Sequence, residues 1–151
     1  MKKIRIAITA LALFVSSMAM AIPEESVSTD VKLAFRSAFT NAKGVKWDKV
    51  ENFYFATFIL DNKEVNVAYT EKGEMVGTSE FLSLEDIPLM TRIGLREQFG
   101  NYTISPQVFR VSFDGETIFY VTAVNEKRLL KLKCNSEGAI SVVQRTKLAK
   151  Q

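Results

Sequence analysis

A pattern that returns after about 60 residues constrains this chain more than any other feature. Phe35-Arg36-Ser37-Ala38-Phe39-Thr40-Asn41 is answered by Leu95-Arg96-Glu97-Gln98-Phe99-Gly100-Asn101, an offset of 60. At an offset of 65, Val65, Val67 and Tyr69 are answered by Leu130, Leu132 and Cys134, and Gly73 by Gly138. Both glycines fall at the fourth residue of a hairpin loop, where a positive φ is commonly required and a side chain costs energy. One supersecondary unit built twice explains these matches together. The alternative is a single α+β domain with coincidental spacing.

The elements follow from periodicity. Apolar residues at 31, 34, 35, 38, 39 and 42 lie three and four apart and predict a one-faced helix. Ser28 or Thr29 can cap its start, and Gly44 lies just past its end. From Val45 the period becomes two. Val45/Trp47, Phe53 to Leu60, Val65/Val67/Tyr69 and Met75 to Phe81 read as four strands, with turns at Asp61-Asn62-Lys63 and Glu71-Lys72-Gly73. The order then restarts. Ser83-Leu84-Glu85-Asp86 has the form of a capping box, and Pro88 fits only a first helical turn, so a helix is expected from there to about Phe99. Strands follow at Val108 to Phe113, Thr117 to Val124, Leu129 to Cys134 and Ala139 to Arg145. Repeat one thus covers about 26–82 and repeat two about 83–147.

The first residues carry a different message. Met1-Lys2-Lys3-Ile4-Arg5, an apolar run to about Val15, and small residues at Ala19 and Ala21 have the form of an export signal cleaved after Ala21. A membrane anchor needs ~20 apolar residues, and this run is shorter and breaks at Ser16-Ser17. The expected mature domain is 22–151, with no transmembrane segment after cleavage, in the periplasm or secreted. No cysteine near the cut invites a lipid anchor. Three of the 20 basic residues (Lys2, Lys3, Arg5) lie in this leader, which leaves 17 basic against 17 acidic. The standing positive field that nucleic-acid binding leans on is therefore absent from the mature part. Its roughly 130 residues suit one domain that buries a core without staples. A lone Cys134 cannot form an internal bridge, and its alternation with Lys131 and Lys133 puts it on the apolar face as packing.

Much catalytic chemistry is excluded by residue type. With no histidine there is no Ser-His-Asp or Cys-His activation, and the usual ligands of catalytic zinc are missing. One cysteine makes neither a thiolate metal site nor a C-x-x-C pair, and no glycine-rich phosphate loop is present. The carboxylate pairs Asp48/Glu51, Glu85/Asp86 and Asp114/Glu116 sit at turns and helix starts, where capping and solvation already explain them. Asn101-Tyr102-Thr103 matches the glycosylation triplet and reads as a loop. No catalytic residue, cofactor or metal is expected, and an enzyme is not.

What stands out is a surplus of aromatics: eleven Phe, four Tyr and one Trp. A two-residue turn at Asp61-Asn62 pairs Phe58 with Val65, Ala56 with Val67 and Tyr54 with Tyr69, which places them under the helix. The far face then carries Phe53, Phe55 and Ile59, and the repeat adds Ile118, Tyr120 and Val124. A solvated face normally alternates to polar residues, so an apolar one reads as a contact surface for a partner. A loop longer by one residue would exchange the faces, and a terminal segment could cover them.

Several of these residues also carry a resemblance. Val45-x-Trp47, Asn52-x-Tyr54-x-Ala56-x-Phe58, Val67-Ala68-Tyr69, Gly73-Glu74, Leu84-Glu85-Asp86-Ile87-Pro88 and Ile104 are similar in order and spacing to exported bacterial proteins of the PepSY-like group, also described as β-lactamase-inhibitor-protein-like (BLIP-like) and common in Bacteroidetes-type bacteria. The resemblance spans nearly the whole mature chain. It implies an α+β fold of two tandem helix-plus-four-stranded antiparallel meander repeats, forming one curved sheet with helices on one face, and a place outside the cytoplasm. It carries over no catalytic residue. In the inhibitor an aromatic-rich concave sheet face grips the target enzyme, and the aromatic far face here is the analogous feature. The expected function is a non-enzymatic exported binding module whose partner is a protein in the envelope or outside the cell. A protease-inhibitor or chaperone-like PepSY role and a carrier of a small apolar ligand are the alternatives, with a hydrolase more distant.

Overall fold

Ser28 and the apolar stripe behind it set the first helix. In the computed structural model, which describes residues 20–149, helix α1 (Thr29–Ala38) begins where the Val31 N–H donates to Ser28 Oγ at 3.3 Å. That bond satisfies one donor that a helix start leaves open. The leader reading covers 1–21, of which residues 1–19 lie outside the described residues. Met20 and Ala21 fall in a three-residue strand, β1 (Met20–Ile22), opposite Lys49 and Asp48.

The chain divides into two compact units, one ending at Glu80 and one starting at Phe81. In the first, β1, β2 (Lys43–Val50), β3 (Phe53–Leu60), β4 (Lys63–Thr70) and β5 (Met75–Ser83) run in that order as antiparallel neighbours. Residues 81–83 at the end of β5 belong to the second unit. Asp61 and Asn62 both take positive φ, 49° and 63°, as a two-residue primed turn demands. The resulting register is Phe58 with Val65, Ala56 with Val67 and Tyr54 with Tyr69. These side chains meet Val31, Phe35 and Trp47 in one core. Phe35 lies edge-on to Trp47 (5.2 Å between ring centres) and to Phe58 (5.0 Å), contacts that add about 0.5–1.5 kcal/mol each beyond area burial.

The second unit contains helix α2 (Leu89–Phe99) and strands β6 (Thr103–Ile104), β7 (Gln107–Phe113), β8 (Glu116–Val124), β9 (Arg128–Asn135) and β10 (Ile140–Lys147). β7, β8, β9 and β10 are successive antiparallel neighbours, and β6 also pairs with β8. Ile87, Leu95, Val108, Phe119, Val121, Leu132 and Cys134 form its core. The expected inward position of Cys134 is what the fold shows, and burial pushes its thiol up to about 11.

Two details differ from expectation. Ser83 does not cap the helix: its Oγ accepts from Glu85 N–H at 3.4 Å and caps a 3₁₀ turn over Leu84–Asp86. Pro88 is the reason, because a residue before proline is pushed from the helical region, and Ile87 is extended at ψ 159°. β1 and β6, at three and two residues, are too short to leave a period in the sequence.

Candidate functional site

Alternation along the strands gives each unit a face turned away from its helix-side core. In the first unit this open face is built of register rows. Asp48, Phe55, Ala68 and Gly77 form one, and Lys46, Thr57, Asn66 and Ser79 another. Phe53 stands between Val50 and Thr70, half-buried, and Ile59 is 38 % exposed. Phe55 is 1 % exposed, which corrects its reading as a contact residue: parity put it on the open face, but the ring is core. A ring 1 % exposed has other atoms of the chain lying over it, which strand parity does not report. Asn66 and Ser79 are buried too, with Asn66 Nδ2 donating to Thr57 Oγ1 at 2.7 Å. Asp48, half-buried here, has its carboxyl pushed up by burial, an effect Lys46 partly offsets.

The open face of the second unit is different. A two-residue turn at Asp114-Gly115, again with both φ positive (48° and 77°), sets Phe109 opposite Tyr120 and Val111 opposite Ile118. Tyr120 in turn faces Lys133, and Lys133 faces Ser141. Phe81 is 45 % exposed and packs on Phe109 with ring centres 5.0 Å apart. Tyr120 is half-buried, and that burial raises its phenol. Ile118 is 8 % exposed, so it floors the patch and does not face a partner, again a correction of the sequence reading. Lys131 Nζ donates to Thr122 Oγ1 at 2.8 Å and so is held flat along the edge of this surface. The arrangement is an aromatic strip of Phe81, Phe109 and Tyr120 bordered by two lysines.

Of the expected site residues, the structure brings Tyr120 and Ile118 into this strip. Phe53, Phe55 and Ile59 belong to the first unit's face. Phe81 and Phe109 escaped the sequence reading. The signal was present: Asp-Gly between alternating apolar residues is a strong hairpin mark, and it puts Phe109 on the same face as Tyr120.

A cleft of about 370 Å³ opens on the helix side of the first unit, and a polar hollow of about 560 Å³ lies near Asn101, Thr103 and the 124–127 turn of the second. Among the described residues no group of three or more His, Cys, Asp or Glu could hold a metal ion, and no helix is long and apolar enough to cross a membrane.

No protein-family model matches the chain, and no curated protein matches it. Solved structures do. A candidate periplasmic protein from Bacteroides eggerthii is 17 % identical with a TM-score of 0.68, over 80 % of this chain and 88 % of that one. A DUF2874-family protein from Bacteroides ovatus is 19 % identical with a TM-score of 0.67, over 79 % and 86 %. A BLIP-like protein from Bacteroides fragilis is 19 % identical with a TM-score of 0.66, over 86 % and 90 %. At these identities the likeness establishes the fold: this chain has the antiparallel α+β architecture of those Bacteroides structures.

Proposed function

We propose that this chain is a non-enzymatic binding protein that works outside the cytoplasm and holds another protein against the open sheet face of its second unit. The observation that carries the reading is the Phe81–Phe109–Tyr120 strip. Its rings are not needed for the helix-side core of that unit, which closes over Leu95, Val108, Phe119, Val121 and Leu132. Aromatic side chains central to a desolvated patch dominate protein–protein affinity, and an exposed strip without a partner is a liability to association. The location outside the cytoplasm rests on the leader and on the description of the Bacteroides eggerthii structure. The absence of histidine leaves the usual nucleophile-activating devices without a base.

The same reading takes the two units as copies of one ancestral helix-plus-four-strand element within a PepSY-like or BLIP-like group. Backbone detail supports it. Ala42 N–H donates to Phe39 O and Tyr102 N–H to Phe99 O, 60 residues on. Gly73 N–H donates to Thr70 O and Gly138 N–H to Asn135 O, 65 residues on. The test of function is quantitative capture from the native envelope with the protein and with its Phe81→Ser/Tyr120→Ser variant. Specific capture lost in the variant, at unchanged far-UV circular dichroism, is the expected result. Undiminished capture by the folded variant counts against the strip.

A further inference from the structure

The last strand of the second unit lies at an edge of its sheet. Among the described residues β10 pairs with β9 and with no other strand. Every other N–H and C=O of an antiparallel strand points away from its neighbour, and at an edge those groups are open to another chain. A bulge at Val143 interrupts the pairing: Val142 faces Leu132 and Gln144 faces Lys131, with nothing opposite the residue between. Beyond it, Gln144, Arg145, Thr146 and Lys147 run in unbroken register against Lys131, Leu130, Leu129 and Arg128. All four of these β10 residues are exposed.

The charges along this stretch share one sign. Neither β9 nor β10 contains an acidic residue, and between them they carry Arg128, Lys131, Lys133, Arg145 and Lys147. Leu130 belongs to the helix-side core, so Arg128, two residues before it, and Arg145, opposite it, share that face. Lys147 stands directly opposite Arg128 on the same face. Like charges so placed repel and cost the sheet stability. Arg128, Arg145 and Lys147 are exposed, and none of them makes an ion pair among the described residues. On the other face Lys131 lies opposite Gln144 and Lys133 opposite Ser141, so the edge is positive from both sides.

A backbone edge without a neighbour and three unanswered cations thus meet at one place. Such an edge rejects its own kind, because a second β10 laid antiparallel over 145–147 puts Arg145 opposite Lys147. The opposite charge is favoured there. We propose that β10 binds an extended acidic segment of a partner protein as an added strand, its backbone paired along 144–147. Acidic side chains two residues apart on that segment point to one face and meet Arg145 and Lys147 across the new strand pair. The open backbone favours a polypeptide over a lipid surface, which makes no strand hydrogen bonds. This edge is separate from the Phe81–Phe109–Tyr120 strip, and either surface can fail without the other.

The probe is a short fluorescein-labelled peptide of alternating glutamate and valine, titrated into the protein and followed by fluorescence anisotropy. Run beside it are the same peptide with lysine for glutamate, the same peptide N-methylated at every backbone amide, and phosphatidylglycerol vesicles. Expected is saturable binding of the acidic peptide, with the N-methylated form at least about tenfold weaker, the scale of two lost backbone hydrogen bonds. The lysine peptide and the vesicles should not bind. Hydrogen exchange in the complex should slow at the amides of 144–147 and stay unchanged in the first unit. Arg145→Glu/Lys147→Glu, both on the surface, should reverse the preference in favour of the lysine peptide, while Phe81→Ser/Tyr120→Ser should bind the acidic peptide as the native protein does. Equal binding of the acidic and N-methylated peptides, an unreversed preference in the charge variant, or loss of binding in the strip variant would each overturn the proposal. So would vesicle binding in place of peptide binding, or no saturable binding at all. If Arg145→Glu/Lys147→Glu fails to fold, exchange at 144–147 decides alone: no slowing, no added strand.

Discussion

The two units put different side chains at equivalent places. Reading the first against the second by the 60- and 65-residue offsets, Phe35 stands for Leu95, Tyr54 for Phe119, Phe58 for Ala123, Val67 for Leu132 and Tyr69 for Cys134, and every one of these is buried. The first core is mostly aromatic and the second mostly aliphatic. A smaller core is filled only if its elements come closer, since interiors tolerate few voids. Gly94 of α2 shows how: a Cβ there would lie 2.9 Å from Gly138 O, so the helix backbone packs directly on the β9–β10 loop. Ala34 holds that place in α1. On the open faces the contrast runs the other way. The first unit buries small and polar residues around Phe55, whereas the second displays Phe81, Phe109 and Tyr120. One backbone plan thus supports an aromatic interior in one half and an aromatic surface in the other.

The largest effect expected is at Phe55. Truncating a ring that is fully buried costs about 3–5 kcal/mol, whereas Phe81→Ala, half in solvent already, should cost about 1 kcal/mol. Urea unfolding of both variants measures the difference, and equal losses would break the contrast between the open faces.

Next come the paired glycines. A Cβ on Gly73 would meet Asp30 O at 2.6 Å, and one on Gly138 would meet Met90 O at 2.8 Å, both at positive φ. Asp30 and Met90 are themselves 60 residues apart. Strain at φ and a clash with backbone should together remove about 3 kcal/mol from either Gly→Ala variant. Gly115→Ala, at φ 77° with nothing within 4 Å, should lose only the conformational part, about 1–2 kcal/mol. Unequal losses at Gly73 and Gly138 would weaken the equivalence of the two helix–hairpin contacts.

Alkaline pH probes the matching pair Tyr69 and Cys134. Burial pushes the Tyr69 phenol from near 10 to about 12 and the Cys134 thiol from near 9 to about 11. Each folded group keeps a proton that the unfolded chain has released. Stability is therefore whole below pH 9 and falls as the pH rises, between about 9 and 11 for the thiol and about 10 and 12 for the phenol. Either group contributes roughly 2–3 kcal/mol over its window. Cys134→Ala should remove the earlier decline and leave the later one, as read by denaturation across that pH range.

The smallest effect has the opposite sign. Tyr69 Oη is buried and has no hydrogen-bond partner among the described residues, so Tyr69→Phe should raise stability by about 1 kcal/mol in the same unfolding experiment. A loss would mean that the hydroxyl has a partner, such as a bound water.

Much of this was legible before the fold was known, and the reason is local. Asp61-Asn62 fixed the pairing of β3 with β4 because two consecutive positive-φ residues admit one register. Helix limits near Ser28 and Phe99 followed from caps and period. Exposure was not legible. Parity assigns Phe55 to a face, but whether that face is covered depends on contacts distant in sequence, and Ala68 and Gly77 gave no local sign of it. The strip was only half visible, because Phe81 and Phe109 are joined across non-adjacent elements, β5 and β7, that no turn connects.

If the second unit's open face is the one that meets a partner, a reactive group placed there should capture that partner. Site-specific photo-crosslinking in the native envelope does this, with p-benzoylphenylalanine placed in turn at Phe81, Tyr120, Ile59 and Leu33. The first two lie on the strip, Ile59 on the first unit's open face, and Leu33 is an exposed residue of α1. A discrete protein adduct is expected from positions 81 and 120 and none from 59 and 33. Adducts from 59 or 33 with none from the strip would rule out the second unit's open face as the contact surface.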